Sequence, residues 1–225
     1  VPGYALRRRL GVWPERRPEH NNRRFHRMAE IALGRALAYD ARLPDQPDAA
    51  DLARRALPQT GRLVGISPGD RRSDKSWPLA SHSEMARRLA ARGATPVYFI
   101  GPDEQADREA MLQAAPGAVA LGLPEAGGDP KVLLWLFHAA ARRLDALVAS
   151  EGGIGHVAAT QDLPLVTLSG PTNAHRWRPV TTRWTNVRAQ GFGGKVLADI
   201  PVDAIETAVA AWLDDPKGWR PDAAA

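Results

Sequence analysis

From Arg62 onward, short apolar runs alternate with amphipathic stretches, and most runs end in glycine, proline or a polar cluster. This alternation constrains the fold more than any other feature of the chain. Strands of five or six residues, each followed by a helix, pair in parallel and need helices on both faces of the sheet. Runs at 63–67, 95–100, 119–121, 146–150 and 165–169 read as strands, with Val187 in a last one. Stretches 81–92, 103–114, 130–143, 153–160 and 202–213 read as helices. Ser81 and Glu84 fit a capping box for the first of these, with Gly93 as its stop. Asp129 fits an N-cap, with Pro130 in the first turn. The expected fold class is α/β: a Rossmann-like parallel sheet with helices on both faces.

Before Arg62 the pattern differs. Residues 22–39 read as one helix, with Phe25, Met28, Ile31, Ala32 and Leu37 near helical spacing. The stretch 43–51 is polar and broken by proline, and it leads into a short helix at 49–57. The expected divisions are 1–45, a linker at 46–61, a domain at 62–215 and a tail at 216–225.

Composition matters in three places. There are no cysteines, which excludes disulfides, thiolate metal sites and cysteine nucleophiles. No run of 18 apolar residues exists, so no transmembrane helix is expected, and the first residues lack the apolar core of a secretory signal. The net charge of +5 is unevenly placed: residues 1–62 hold thirteen arginines against seven acids, and the remainder is close to neutral. A basic segment of this kind fits an anionic partner, and it fits equally a solvated helical face in an arginine-rich composition.

Chemistry is concentrated in loops that leave strand ends, the edge where open parallel sheets bind ligands. The first loop, 67–78, reads SPGDRRSDKSWP. Ser67 ends the strand, Gly69 permits a tight turn, and Lys75 fits either a phosphate contact or a lysine in water. Trp77 reads as a core anchor. The second loop carries Glu104, either an acceptor for ribose hydroxyls or an acid at a helix start. The third, 150–156, reads SEGGIGH. Gly152 and Gly153 let a ligand approach the backbone, whose N–H groups favour a diphosphate; the other reading is a glycine turn packing helix on sheet. The spacing is not the dinucleotide GxGxxG fingerprint. His156 fits a phosphate donor or a satisfied core histidine. After the run at 165–169 comes GPTN, followed by Arg176, Trp177 and Pro179.

Together these motifs resemble glycosyltransferase family 9, the heptosyltransferases. That family shows a proline–glycine loop leading to K-x-W-P, then G-x-P-x-E, then D-[ST]-G-x-x-H, then a GPT loop ending in R-W-x-P. This chain has PGD with DKSWP, GPDE, EGGIGH and GPTNAHRWRP in the same order. The resemblance implies the C-terminal, nucleotide-sugar-binding half of a GT-B enzyme, with 1–45 as the end of an acceptor domain. It implies a donor such as ADP-heptose, an anionic glycolipid acceptor of the lipopolysaccharide type, and a cytoplasmic location, at the inner membrane face if the basic segment makes a peripheral contact there. No cofactor, metal or nucleic acid is implied. Carried over by position, Lys75 contacts the diphosphate and stabilises the leaving group, and Glu104 holds the ribose. Gly152, Gly153 and His156 cradle the diphosphate, and Ser67, Gly69, Glu151 and Thr172 line the pocket. Glu151 stands where many members have Asp, and Gly152 where they have Ser or Thr, so a donor other than ADP-heptose fits too. The family's general base aligns with no residue here. The alternatives are an inverting GT-B enzyme using a UDP- or GDP-sugar, or a non-catalytic glycan- or nucleotide-binding module.

Overall fold

The computed structural model describes residues 20–39, 42–69 and 75–215. Most of the basic segment (1–19), the loop residues Arg71 and Arg72, and the tail (216–225) lie outside them. The chain forms two compact units: residues 1–40 with 173–178, and residues 41–172 with 179–225.

In the smaller unit, α1 (Asn21–Leu33) stops at Gly34, whose φ of 65° is left-handed. The sequence pattern ran the helix on to residue 39; the glycine ends it, as glycine commonly does at this position. The His20 ring sits at the start of α1. Its Nδ1 accepts from the Asn22 N–H, so Nε2 carries the proton and donates to the Arg178 carbonyl at 2.6 Å. Phe25, Met28 and Ile31 are exposed along the helix.

In the larger unit, α2 (Pro47–Ala56) occupies the expected linker. Its Ala53 and the following Leu57 are buried in one core with Leu133, Leu136 and Phe137, so this stretch is part of the packed body. Then come β1 (Arg62–Ser67), α3 (Leu79–Ala91), β2 (Ala94–Phe99), a 3-10 turn (Pro102–Asp107), α4 (Arg108–Ala114) and β3 (Val119–Leu121). These are followed by α5 (Pro130–Ala141), β4 (Ala146–Ser150), α6 (Gly153–Ala159) and β5 (Leu165–Ser169). In the smaller unit the chain forms α7 (Ala174–Trp177); β6 (Trp184–Arg188) and α8 (Val202–Asp214) close the larger one.

All five strand pairings are parallel, in the order β3-β2-β1-β4-β5-β6. Alternate side chains feed two cores. Val64, Ile66 and Val148 pack with Met85 and Leu89 of α3 and with Ile205, Val209 and Trp212 of α8. Leu63, Leu147 and Ala149 pack with Leu133, Leu136 and Phe137 of α5 and Ala158 of α6. Both faces are therefore covered, as the apolar runs required. Gly65 sits where Leu144, Leu147 and Phe99 leave no room for a Cβ. Among the described residues, no helix is long and apolar enough to cross a membrane.

Candidate functional site

The chain runs from β1 outward to β2 and β3, then returns beside β1 to lay down β4, β5 and β6. Strand order reverses between β1 and β4. Such a switch point is the usual ligand site of open parallel sheets. The first and third motif loops start at this point, where Ser67 pairs with Ala149.

Ser67 is buried at the end of β1. Gly69 adopts φ 88°, and a Cβ there would collide with the Oγ and Cβ of Ser150. The glycine is thus required twice, by backbone conformation and by space. Ser150, 4% exposed, ends β4. Its Oγ lies 2.7 Å from the Pro68 carbonyl and 3.4 Å from that of Ser67. A hydroxyl has one proton to donate, and the shorter contact takes it. The Lys75 carbonyl borders the same Cβ position of Gly69, at 3.5 Å. The chain at Lys75 has come back beside Gly69. Lys75 itself is half-buried and forms no ion pair with a described residue.

The far end of the same loop is anchored in the core. Trp77 is 1% exposed, and its indole N–H donates to the Ile200 carbonyl at 2.9 Å. The His82 ring meets it edge-on, with centroids 5.1 Å apart. Neither ring nitrogen of His82 has a hydrogen-bond partner among the described residues. Burial holds the His82 pKa down to about 4, and the nearby backbone at Pro68 and Trp77 offsets this only in part.

The third loop divides in two. Gly152 and Gly153 are exposed, neither has positive φ, and a Cβ on either would meet no atom closer than 4.0 Å. The packing of this fold does not require glycine at either position. Gly155 is different: it is buried, and its Cβ position lies 3.7 Å from Ala149 and Pro179. A Cβ there would make ordinary van der Waals contacts, so a small residue suffices for the helix to pack on the sheet. The helix that follows, α6, has seven residues, so its dipole is short and the unbonded N–H groups of its first turn are the main local donors. Glu151 and His156 are half-buried.

Glu104 lies in the 3-10 turn after β2, with its carboxylate folded over Gly101. Arg108, which opens α4, grips Glu125 in the turn after β3 with two bonds, of 2.6 and 3.1 Å, and Glu125 also accepts the Gly122 N–H at 2.7 Å. Thr172 is half-buried after β5, and Gln190 donates to Gly170 in the same loop. Glu104 and Thr172 leave strands three places apart. At the usual strand spacing that is about 14 Å, so one ligand touching both must be extended.

Ser150 and His82 did not stand out in the sequence. Ser150 is the last strand residue before a glycine loop, which is a usable signal; His82 had none.

The sheet order and the loops at its switch point define a Rossmann-like domain. Residues 12–195 match glycosyltransferase family 9 (heptosyltransferase), and the chain belongs to that family. It is 33% identical over 99 residues to lipopolysaccharide heptosyltransferase 1 of Pseudomonas aeruginosa, covering 44% of this chain and 26% of that protein. It is 29% identical over 147 residues to lipopolysaccharide heptosyltransferase 3 of Escherichia coli, covering 63% of this chain and 40% of that one. The structure of E. coli heptosyltransferase WaaC with ADP superposes with a TM-score of 0.64 at 19% identity, over 86% of this chain and 57% of that one. WaaC has also been solved with ADP-2-deoxy-2-fluoro heptose. The chain thus spans less than half of these curated relatives and just over half of that structure.

Proposed function

We propose that this chain supplies the donor side of an inverting sugar transfer, from ADP-heptose to a lipopolysaccharide-type acceptor. One observation carries the reading. Ser67 and Gly69 meet Ser150 at the β1–β4 switch point, with the Lys75 carbonyl beside Gly69, next to two exposed glycines that the fold's own packing does not require. A diphosphate fits the open backbone at Gly152 and Gly153, and an ammonium group at Lys75 fits its charge. Glu104 is assigned to the ribose, and Glu151, His156 and Thr172 line the pocket. Solved relatives with ADP and with a fluorinated ADP-heptose favour this donor.

In the transfer, an acceptor hydroxyl attacks the anomeric carbon in line as the bond to the diphosphate oxygen breaks. The electron pair leaves with ADP, where Lys75 and the backbone N–H groups offset the developing charge. The proton of the attacking hydroxyl goes to a base that we assign to no residue of these loops. The expectation is therefore ADP binding with little or no sugar transfer by this chain.

Calorimetric titration with ADP tests the reading. Lys75→Ala should weaken ADP binding about tenfold, the loss of roughly 1.5 kcal/mol for a hydrogen bond to a charged group. No ADP binding by the wild type, or equal binding by both proteins, would sink it. Titrations with UDP and GDP separate this donor from its nearest alternatives.

A further inference from the structure

We infer that Ser150 is a positioning residue for the donor site, acting through the backbone of Gly69 to place Lys75. The inference rests on the donor reading above. It starts from a three-way contact at Gly69. The Ser150 side chain packs on one face of Gly69 and donates to the preceding carbonyl, of Pro68, at 2.7 Å. The Lys75 carbonyl borders the same Cβ position of Gly69, at 3.5 Å. Ser150 is buried and belongs to β4, a central strand, so its hydroxyl is fixed by the sheet. Pro68 brings no N–H to the sheet and contributes only this carbonyl. The hydrogen bond from Ser150 therefore sets the direction in which the chain leaves β1.

The consequence is a coupling between two motif loops. Ser150 immediately precedes Glu151 and Gly152, so one residue borders the third loop in sequence and grips the first in space. The spacing between the Lys75 backbone and the Gly153 N–H then follows from the β1–β4 pairing. A diphosphate bridging the two meets a distance already set, and binding loses less entropy than it would against a loose loop.

Ser150→Ala keeps the side chain's bulk and removes the donor. It should weaken ADP binding five- to twentyfold while leaving the thermal midpoint of the ligand-free protein within a few degrees of wild type. Amide exchange at Gly69 and Lys75 should quicken in the same variant without ligand. If Ser150 acts through Lys75, adding Ser150→Ala to Lys75→Ala should change ADP affinity less than twofold. Ser150→Thr, which retains a hydroxyl, should recover part of the loss. Wild-type protein that binds no ADP would overturn the donor reading and this inference with it. Wild-type binding that Ser150→Ala leaves within twofold, or full additivity with Lys75→Ala, would overturn this inference alone.

Discussion

At the residue scale, His82 shows what the motif loop costs the fold. Its ring is buried against Trp77, and its pKa falls from an ordinary 6.5 to about 4, chiefly through burial. Between those two pH values the unfolded chain binds a proton that the folded chain refuses. Stability therefore rises with pH through this window and falls as pH drops from 6.5 towards 4, by about 3 kcal/mol over the whole interval. His82→Phe keeps an aromatic edge on Trp77 and has nothing to protonate. Melting at pH 7 and at pH 4.5 should show wild type losing roughly 5 °C more than the variant; equal losses would refute the account. Gly69 gives a companion case. Gly69→Ala meets both a left-handed φ and the Ser150 side chain. It should destabilise by about 2 kcal/mol in chemical denaturation and weaken ADP binding as well. The need for glycine at this turn was legible in the sequence. The reason it cannot be replaced was not, because Ser150 is 81 residues away along the chain and meets Gly69 only once β1 and β4 pair.

At the scale of elements, local chemistry foretold what local chemistry controls. The Asp129 cap is present: its side chain accepts the Lys131 N–H at 2.8 Å, with Pro130 in the first turn. The capping box expected at Ser81 and Glu84 is not formed. Leu79 and Ala80 extend α3 one half-turn earlier, so Ser81 lies inside the first turn. Glu84 turns instead to Arg87 and Arg88, and Arg88 also reaches Glu206 on α8. A tertiary ion network captured a side chain that a single helix would have used as a cap. The turn after β3 was similarly hidden, since the Arg108–Glu125 pair spans an element boundary. Breaking it by Glu125→Ala strips the Gly122 N–H and the half-buried Arg108 of their acceptor. We expect a loss of about 1 kcal/mol and a melting shift of roughly 2–4 °C. A shift below the reproducibility of the melting curve would mean the turn is held by its backbone alone.

At the scale of the whole molecule, the parallel sheet followed from alternation alone, and its strand order brought the scattered motifs to one edge. Charge behaves differently at this scale. The excess of arginine lies before residue 63, and the part of the chain carrying the motif loops is nearly neutral. On the donor reading proposed above, attraction of a diphosphate is then a local matter of the motif loops, Lys75 foremost, with little help from the rest of that region's charge. Salt separates these contributions. Between about 0.01 M and 1 M salt the Debye length falls from roughly 30 Å to 3 Å, which erases long-range attraction and weakens exposed contacts. ADP affinity in the wild type should fall over this range, because Lys75 is only half-buried. In Lys75→Ala the affinity should be lower but nearly flat, since the dipoles of backbone N–H groups are screened less than a full charge. Parallel salt slopes for the two proteins would place the attraction in the distributed charge of the chain, and remove Lys75 from the site.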